Sequence, residues 1–255
     1  MKSVYGPVSS WRLGRSLGID PICSQRKICS FDCVYCQLGH GTKTYQRRVF
    51  VDTDTIRREL QEALPQVEAD VITFSGTGEP TLAANLGEVI DYVRSVSRIP
   101  LAILTNSSLL GDENVVRVLY NLDIVVAKLD AHNQALFKKI NQPYQGLDFQ
   151  RMVEDMIKFR RVYDGKFSLQ LMFVPENERY AEDIARIVER IGPDEIQINT
   201  PLRPCKVRPL DSERIQRICE EFRSLGNVIS VYEAERPEVC PLNLEEIRKR
   251  KRPEP

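Results

Sequence analysis

Three cysteines fall within eight consecutive positions of this sequence: Cys29, Cys33 and Cys36 in KICSFDCVYCQLG, residues 27–39. The spacing is C-x3-C-x2-C, and no fourth cysteine closes the set nearby. Structural zinc usually takes four ligands, commonly as two pairs. Here only Cys33 and Cys36 form a C-x-x-C pair, and His40 would have to complete a Cys3His site. A thioredoxin-like pair would use those two cysteines and leave Cys29 idle. An iron–sulfur cluster employs all three thiolates, and a four-iron cube held by three leaves one iron open to bind and activate a small molecule.

The other polar residues of interest stand at the ends of apolar runs. GTGEP (76–80) follows VITF, and TNSS (105–108) follows LAIL. Lys128 and Asp130 lie near the end of IVVAKLDA, Gln170 lies within FSLQLMFV, and Gln197 and Asn199 lie within EIQINT. These runs, at 71–76, 101–106, 124–131, 167–174 and 195–200, read as buried strands, with an earlier one at 16–22. In a strand, Lys128 and Asp130 share a face. A buried lysine needs a partner, which that aspartate two residues on would supply.

The elements between the strands are helical. TDTIRRELQEAL places Ile56, Leu60 and Leu64 on one face, with Thr53 as a possible N-cap. LGEVIDYVRSV, DENVVRVLYNL, FQRMVEDMIKFRRVY and YAEDIARIVERIG follow the same rule, the last stopped by Gly192 and Pro193. SERIQRICEEFRSLG buries Cys219 beside Ile215, Ile218 and Phe222, and a short strand, NVISVY, follows it. Six strands each followed by a helix imply an α/β fold with parallel strands and right-handed crossovers. In such folds active residues gather at the carboxyl ends of the strands, where the cysteines and the polar punctuation fall.

Composition sets the outer bounds. The chain has 255 residues, 42% of them hydrophobic and 28% charged, as expected of a globular protein. Lys and Arg balance Asp and Glu at 36 each, so overall charge points to no polyanionic partner. No apolar run is long enough to span a membrane, and the N-terminal segment lacks the apolar core of a signal peptide. The expectation is a cytoplasmic protein without membrane association, in which clustered thiols bind metal or do chemistry. One domain covers 1–235, with an N-terminal lead-in and a C-terminal helix and strand, and an extended basic tail covers 236–255. Arg12, Arg15, Arg47 and Arg48 flank the expected mouth of the site, and RKRKR (248–252) lies in the tail, all able to meet phosphates.

CSFDCVYC resembles the signature of radical S-adenosylmethionine (SAM) enzymes, with an aromatic residue before the last cysteine. The resemblance implies a partial (β/α)6 barrel over roughly 15–205 with a short C-terminal extension. It implies a 4Fe-4S cluster on Cys29, Cys33 and Cys36, with SAM chelated to the open iron. Reductive cleavage of SAM then yields methionine and a 5′-deoxyadenosyl radical that abstracts hydrogen from substrate. Tyr35 matches the aromatic residue near the adenine. SGTGEP resembles the glycine-rich GGEP element, with Gly76, Thr77 and Gly78 near the methionine end and Glu79 near its ammonium; Thr77 replaces a glycine. Asn106 and Ser107 would meet the ribose or carboxylate, Lys128 and Asp130 the carboxylate, and Gln170 and Asn199 would face inward beside them.

Cys23, Cys205 and Cys240 are left over and suit either a second iron–sulfur cluster or three unrelated thiols. YGPVSSWRLGRSLGID, INQPYQGLDF and QINTPLRP resemble a group of small archaeal and bacterial proteins related to wyosine synthases, which act on a guanine of transfer RNA. The implied substrate is a nucleoside in tRNA or a small metabolite, and the implied reductant is a ferredoxin or flavodoxin. Modification or activation of a protein is a second reading, and a non-catalytic iron–sulfur or zinc protein is a third.

Overall fold

A computed structural model of the protein describes residues 1–250. The chain begins with an antiparallel pair, β1 (Val4–Ser10) and β2 (Gly14–Ile19). Two short strands, β3 (Lys27–Cys29) and β4 (Gly41–Lys43), form a separate parallel pair around the cysteine loop. After α1 (Thr53–Ala63) the alternation becomes regular: β5 (Val71–Phe74), α2 (Leu86–Val96), β6 (Leu101–Thr105), α3 (Glu113–Leu119) and β7 (Ile124–Lys128). Two helices, α4 (Gln134–Ile140) and α5 (Phe149–Val162), lead to β8 (Lys166–Met172). Then come α6 (Ala181–Ile191), β9 (Glu195–Asn199), α7 (Ser212–Phe222), β10 (Asn227–Ser230) and α8 (Leu244–Lys249).

The main sheet runs β1-β2-β5-β6-β7-β8-β9-β10, parallel throughout except for β1. The expected six β/α strands are therefore all present, extended by β1 at one edge and β10 at the other. Residues from β1, from β9 and from the segment just after β10 line one cavity, yet β1 and β10 do not pair. The sheet is thus curled into an open half-barrel.

Strand periodicity explains which face does what. Leu17 and Ile19, Ile72 and Phe74, Val125 and Ala127, Leu169 and Leu171, and Ile196 and Ile198 belong to the buried apolar core, where they meet the helices' apolar faces. The alternate positions, Ser16, Thr73, Val126, Lys128, Gln170 and Asn199 among them, line the cavity inside the curl. Ile56 and Leu60 of α1, Val89, Ile90 and Val93 of α2, and Cys219 of α7 are buried as their spacing requires. Among the described residues, no helix is long and apolar enough to cross a membrane.

The structure corrects several sequence expectations. Asp52, not Thr53, caps α1, its carboxylate accepting from Thr55 N at 2.8 Å. β1, which has a Gly-Pro pair inside it, and the seven-residue α4 are not among the elements expected from the sequence. The tail expected to be extended contains α8, which packs on β1. Residues 251–255, including Arg252, lie outside the described residues.

The C-terminal segment crosses the open side of the half-barrel. Ser9 Oγ donates to Pro237 O at 2.7 Å and Leu242 N donates to Gly6 O at 2.8 Å, tying it to β1. Arg250 then inserts its guanidinium over the Tyr5 ring, 4.0 Å from the centroid, and pairs with Asp20 at 3.2 Å. Both side chains are buried, 5% and 0% exposed. Losing one partner of a buried pair costs about 3–5 kcal/mol, and here the lower end applies because Asp20 keeps backbone donors. Arg250→Met is therefore expected to lower the unfolding free energy by about 3 kcal/mol in urea denaturation; an unchanged midpoint would show that the pair contributes nothing.

Candidate functional site

Cys29 ends β3, and Cys33 and Cys36 follow in the loop before β4. All three line the cavity inside the half-barrel, which has a volume of about 470 Å³. Two anchors hold the loop. On one side, buried Lys27 pairs with Asp32, which also bonds His40 Nδ1 at 2.6 Å. On the other, the C-terminal end of α4 takes Asp32 N through Asn141 O at 3.0 Å and Val34 N through Ile140 O at 2.9 Å. Ser30 O accepts from Tyr144 N at 2.7 Å, and Phe31 meets Phe137 edge-on at 5.2 Å.

Two asparagines reach the sulfurs. Asn106 Nδ2 lies 3.4 Å from Cys29 Sγ, and Asn141 Nδ2 lies 3.5 Å from Cys33 Sγ. Burial pushes the Cys29 thiol well up and the Cys33 thiol up to about 11. Thiolates are the forms that bind metal, so iron loading must release protons here, and amide donors beside the sulfurs stabilise the charge that results. Both ring nitrogens of His40 are engaged, with Asp32 and Lys206, so it is not turned to the cysteines. No three His, Cys, Asp or Glu side chains among the described residues converge on a single-ion site. Three thiols sharing one cavity wall suit a polynuclear group, whose ligands bind different irons.

The GTGEP turn clasps β3 from below. Ile28 N donates to Thr77 O at 3.1 Å and Glu79 N donates to Ile28 O at 3.1 Å. A Cβ at Gly78 would stand 1.8 Å from Ile28 O, and one at Gly76 would stand 2.1 Å from Asp20 Cγ. The two glycines therefore permit a close approach, but of protein to protein: they seat the strand that carries Cys29. Both also line the cavity. Glu79 is buried and accepts from Thr81 N and Oγ1, Thr105 Oγ1 at 2.7 Å and Asn106 N at 2.7 Å. Burial raises its pKa against these four donors. One carboxylate thus fixes the asparagine that meets Cys29.

The remaining expected residues divide. Tyr35, Lys128, Gln170 and Asn199 line the cavity with Glu79 and Asn106, whereas Thr77, Ser107 and Asp130 do not. Thr77 is spent on Asp20 and Ser24. Ser107, at φ 73°, bridges the backbone N–H and C=O of Lys128. Asp130 lies beyond β7 and accepts from Tyr35 OH, Asn141 Nδ2 and Met172 N. The expected Lys128–Asp130 pair does not form; the Lys128 ammonium sits 4.8 Å from the centroid of the Tyr35 ring. Gln197 is buried outside the cavity lining and bonds Glu195.

The leftover thiols are not brought together. Cys23 Sγ bonds Met1 O and Arg250, Cys205 Sγ bonds Val207 O, and Cys240 is exposed. None of the three lines the cavity. Of the four arginines expected at the mouth, only Arg12 lines it. Arg15 pairs with Glu68 and Asp70, Arg47 donates to Thr81 O, and Arg48 covers Phe50. Asn141 was missed, although it lies in the INQPYQGLDF segment; nothing local marks an asparagine after a short helix as a sulfur partner.

A half-barrel with three thiols on its rim and a glycine-turned glutamate beside them defines a class. The radical SAM superfamily model matches residues 26–188, and the chain belongs to that superfamily. More particularly, a UPF0026 protein of Synechocystis sp. is 40% identical over 213 residues, covering 83% of this chain and 78% of that protein. A protein of Brachyspira hyodysenteriae named GTPase Obg is 39% identical over 232 residues, which cover 88% of this chain but 34% of that protein. The fold is that of a radical SAM methyltransferase from Sphaerobacter thermophilus, with TM-score 0.64 at 15% identity over 84% of this chain and 65% of that one. It is also that of Streptococcus suis SuiB bound to S-adenosylmethionine, with TM-score 0.62 at 14% identity over 86% and 47%.

Because β3 can dock only where Gly78 lacks a Cβ, Gly78→Ala is expected to displace the cysteine loop. Overpacking of this kind costs about 1–3 kcal/mol, so the variant should fold yet lose most of its iron after anaerobic reconstitution. Full iron content in this variant would show that β3 does not need the close approach.

Proposed function

We propose that this chain is a radical SAM enzyme whose Cys29, Cys33 and Cys36 hold a 4Fe-4S cluster, with SAM bound across the strand ends. The substrate we propose is a nucleoside, free or within tRNA, or another small metabolite. The observation that carries the reading is the convergence of the three thiols, Glu79, Asn106 and Lys128 on the wall of one cavity. When bound, the cluster and SAM together supply a 5′-deoxyadenosyl radical able to abstract hydrogen from an unactivated carbon.

The residues of the chain do the positioning. Glu79 has a carboxylate oxygen, Oε2, with one donor, Asn106 N, and is the acidic group available to an ammonium in the cavity. Lys128 offers a cation to a carboxylate, and the Tyr35 ring beneath it offers an apolar face beside the loop. The apolar residues Leu104, Val126 and Met172 on the inner face limit water around a reactive intermediate. The resemblance of the lead-in and of residues 140–149 to a group of small proteins related to wyosine synthases supports a nucleoside as substrate. A ferredoxin or flavodoxin of the cytoplasm is the proposed electron donor.

Anaerobically reconstituted protein is expected to form 5′-deoxyadenosine slowly from SAM and dithionite, and Cys33→Ala to lose iron and product together. Glu79→Ala removes a charged contact worth about 1.5–3 kcal/mol, so SAM should bind about tenfold more weakly or worse in equilibrium dialysis. Full product formation by Cys33→Ala would sink the cluster assignment, and unchanged SAM affinity in Glu79→Ala would sink the role of the turn.

A further inference from the structure

One stretch of the cavity wall has no part in holding the cluster or SAM as proposed. Where the two edges of the half-barrel face each other, the wall carries Arg12 from the turn between β1 and β2, Arg203 from beyond β9 and Arg236 from beyond β10. Glu79 is the acidic side chain on this wall among the described residues, and Thr81, Thr105 and Asn106 already engage it. The fourth arginine on the wall, Arg250, is neutralised by Asp20. Arg12, Arg203 and Arg236 form no ion pair among the described residues.

Their contacts leave donors to spare. Arg203 gives one Nη1 bond to Gln37 Oε1 at 2.6 Å. The Arg12 guanidinium lies 5.2 Å from the centroid of the Trp11 ring, and its Nε is buried without a hydrogen-bond partner. Burial, and then the charge of Arg203, lower the Arg12 pKa to about 10. Like charges gathered on a cavity wall repel one another unless an anion joins them. Guanidinium groups are also the donors best shaped to grip phosphate or carboxylate oxygens in pairs.

We propose that Arg12, Arg203 and Arg236 form an oxyanion subsite that grips a phosphate or carboxylate group of a small substrate, whose remainder reaches towards the cysteine loop. The direction in which that substrate points rests on the radical SAM reading; the subsite itself does not. Arg15, Arg47 and Arg48, which an RNA backbone would need along the mouth, are occupied outside the cavity.

Trp11 is the one tryptophan of the chain and lies on this wall beside Arg12, so its fluorescence reports on the subsite. The experiment titrates reconstituted, SAM-loaded protein with inorganic phosphate, pyrophosphate and oxalate at constant ionic strength, and measures 5′-deoxyadenosine on the same preparation. A saturable response is expected to at least one anion, and which one responds separates a phosphate from a carboxylate ligand. Arg12→Gln and the exposed Arg236→Gln should each weaken it about tenfold or more, while Arg48→Gln should titrate as wild type. Protein that cleaves SAM but responds to none of the anions would overturn the subsite alone. Protein that responds to anions but cleaves no SAM would uphold the subsite and overturn the radical reading. Displacement of the anion by methionine would return these arginines to the cofactor and overturn the proposal. A response to short single-stranded RNA tighter than to pyrophosphate, lost in the same variants, would overturn it in favour of a nucleic acid.

Discussion

The carboxylate of Asp20 is fully buried at the end of β2, and the site is assembled around it. A buried carboxylate must be satisfied on nearly all its lone pairs. Oδ1 takes the amides of Ile22 and Cys23, which turns the chain towards β3. Oδ2 takes the amide and hydroxyl of Thr77 and the guanidinium of Arg250, which fastens the GTGEP turn and the C-terminal segment to the same point. Gly76 is needed because a Cβ there would collide with this carboxylate. Three distant parts of the chain are thereby held in register with the strand that carries Cys29.

From that anchor the geometry propagates by short hydrogen-bonded steps. The turn held by Asp20 seats Ile28 through Gly78 and presents Glu79, which fixes Asn106, which reaches Cys29. A parallel chain runs from Asp130 through Asn141 to Cys33. Networks of this kind rigidify a polar region through their paired members; Asn141 does so through Nδ2, while its Oδ1 is buried without a partner. Their effect is to place two amide donors beside two thiols that burial would otherwise keep protonated, an arrangement suited to ligands that must carry charge.

The cavity also carries an asymmetry of charge. Near the cysteines, Glu79 and Lys128 give one group of each sign. Along the open seam Arg12, Arg203 and Arg236 form no ion pair among the described residues, although the chain as a whole is neutral. Local separation of charge within a neutral protein costs self-repulsion and selects what enters. The C-terminal segment matters here twice, since it brings Arg236 to the seam and locks Arg250 against Asp20.

Much of this was legible in the sequence because it is local. The three-cysteine loop, the GTGEP turn and the period-2 strands depend on neighbours within a few residues, so spacing alone placed Cys29, Cys33, Cys36 and Glu79 on one rim and sent Lys128, Gln170 and Asn199 inward. Most of the helices that showed a clear period span about three turns or more, the seven-residue α3 being the exception, whereas α4 and α8, at seven and six residues, show none. The partners were decided only by the fold. Lys128 looked paired with Asp130, yet Asp130 serves Tyr35 and Asn141 because the chain leaves the strand before it. Asn141 meets Cys33 across 108 positions, Arg203 meets Gln37 across 166, and Arg250 meets Asp20 across 230. Periodicity says which face a side chain takes but not what the opposite face brings to it, and at this site the opposite face is supplied by the curl of the sheet.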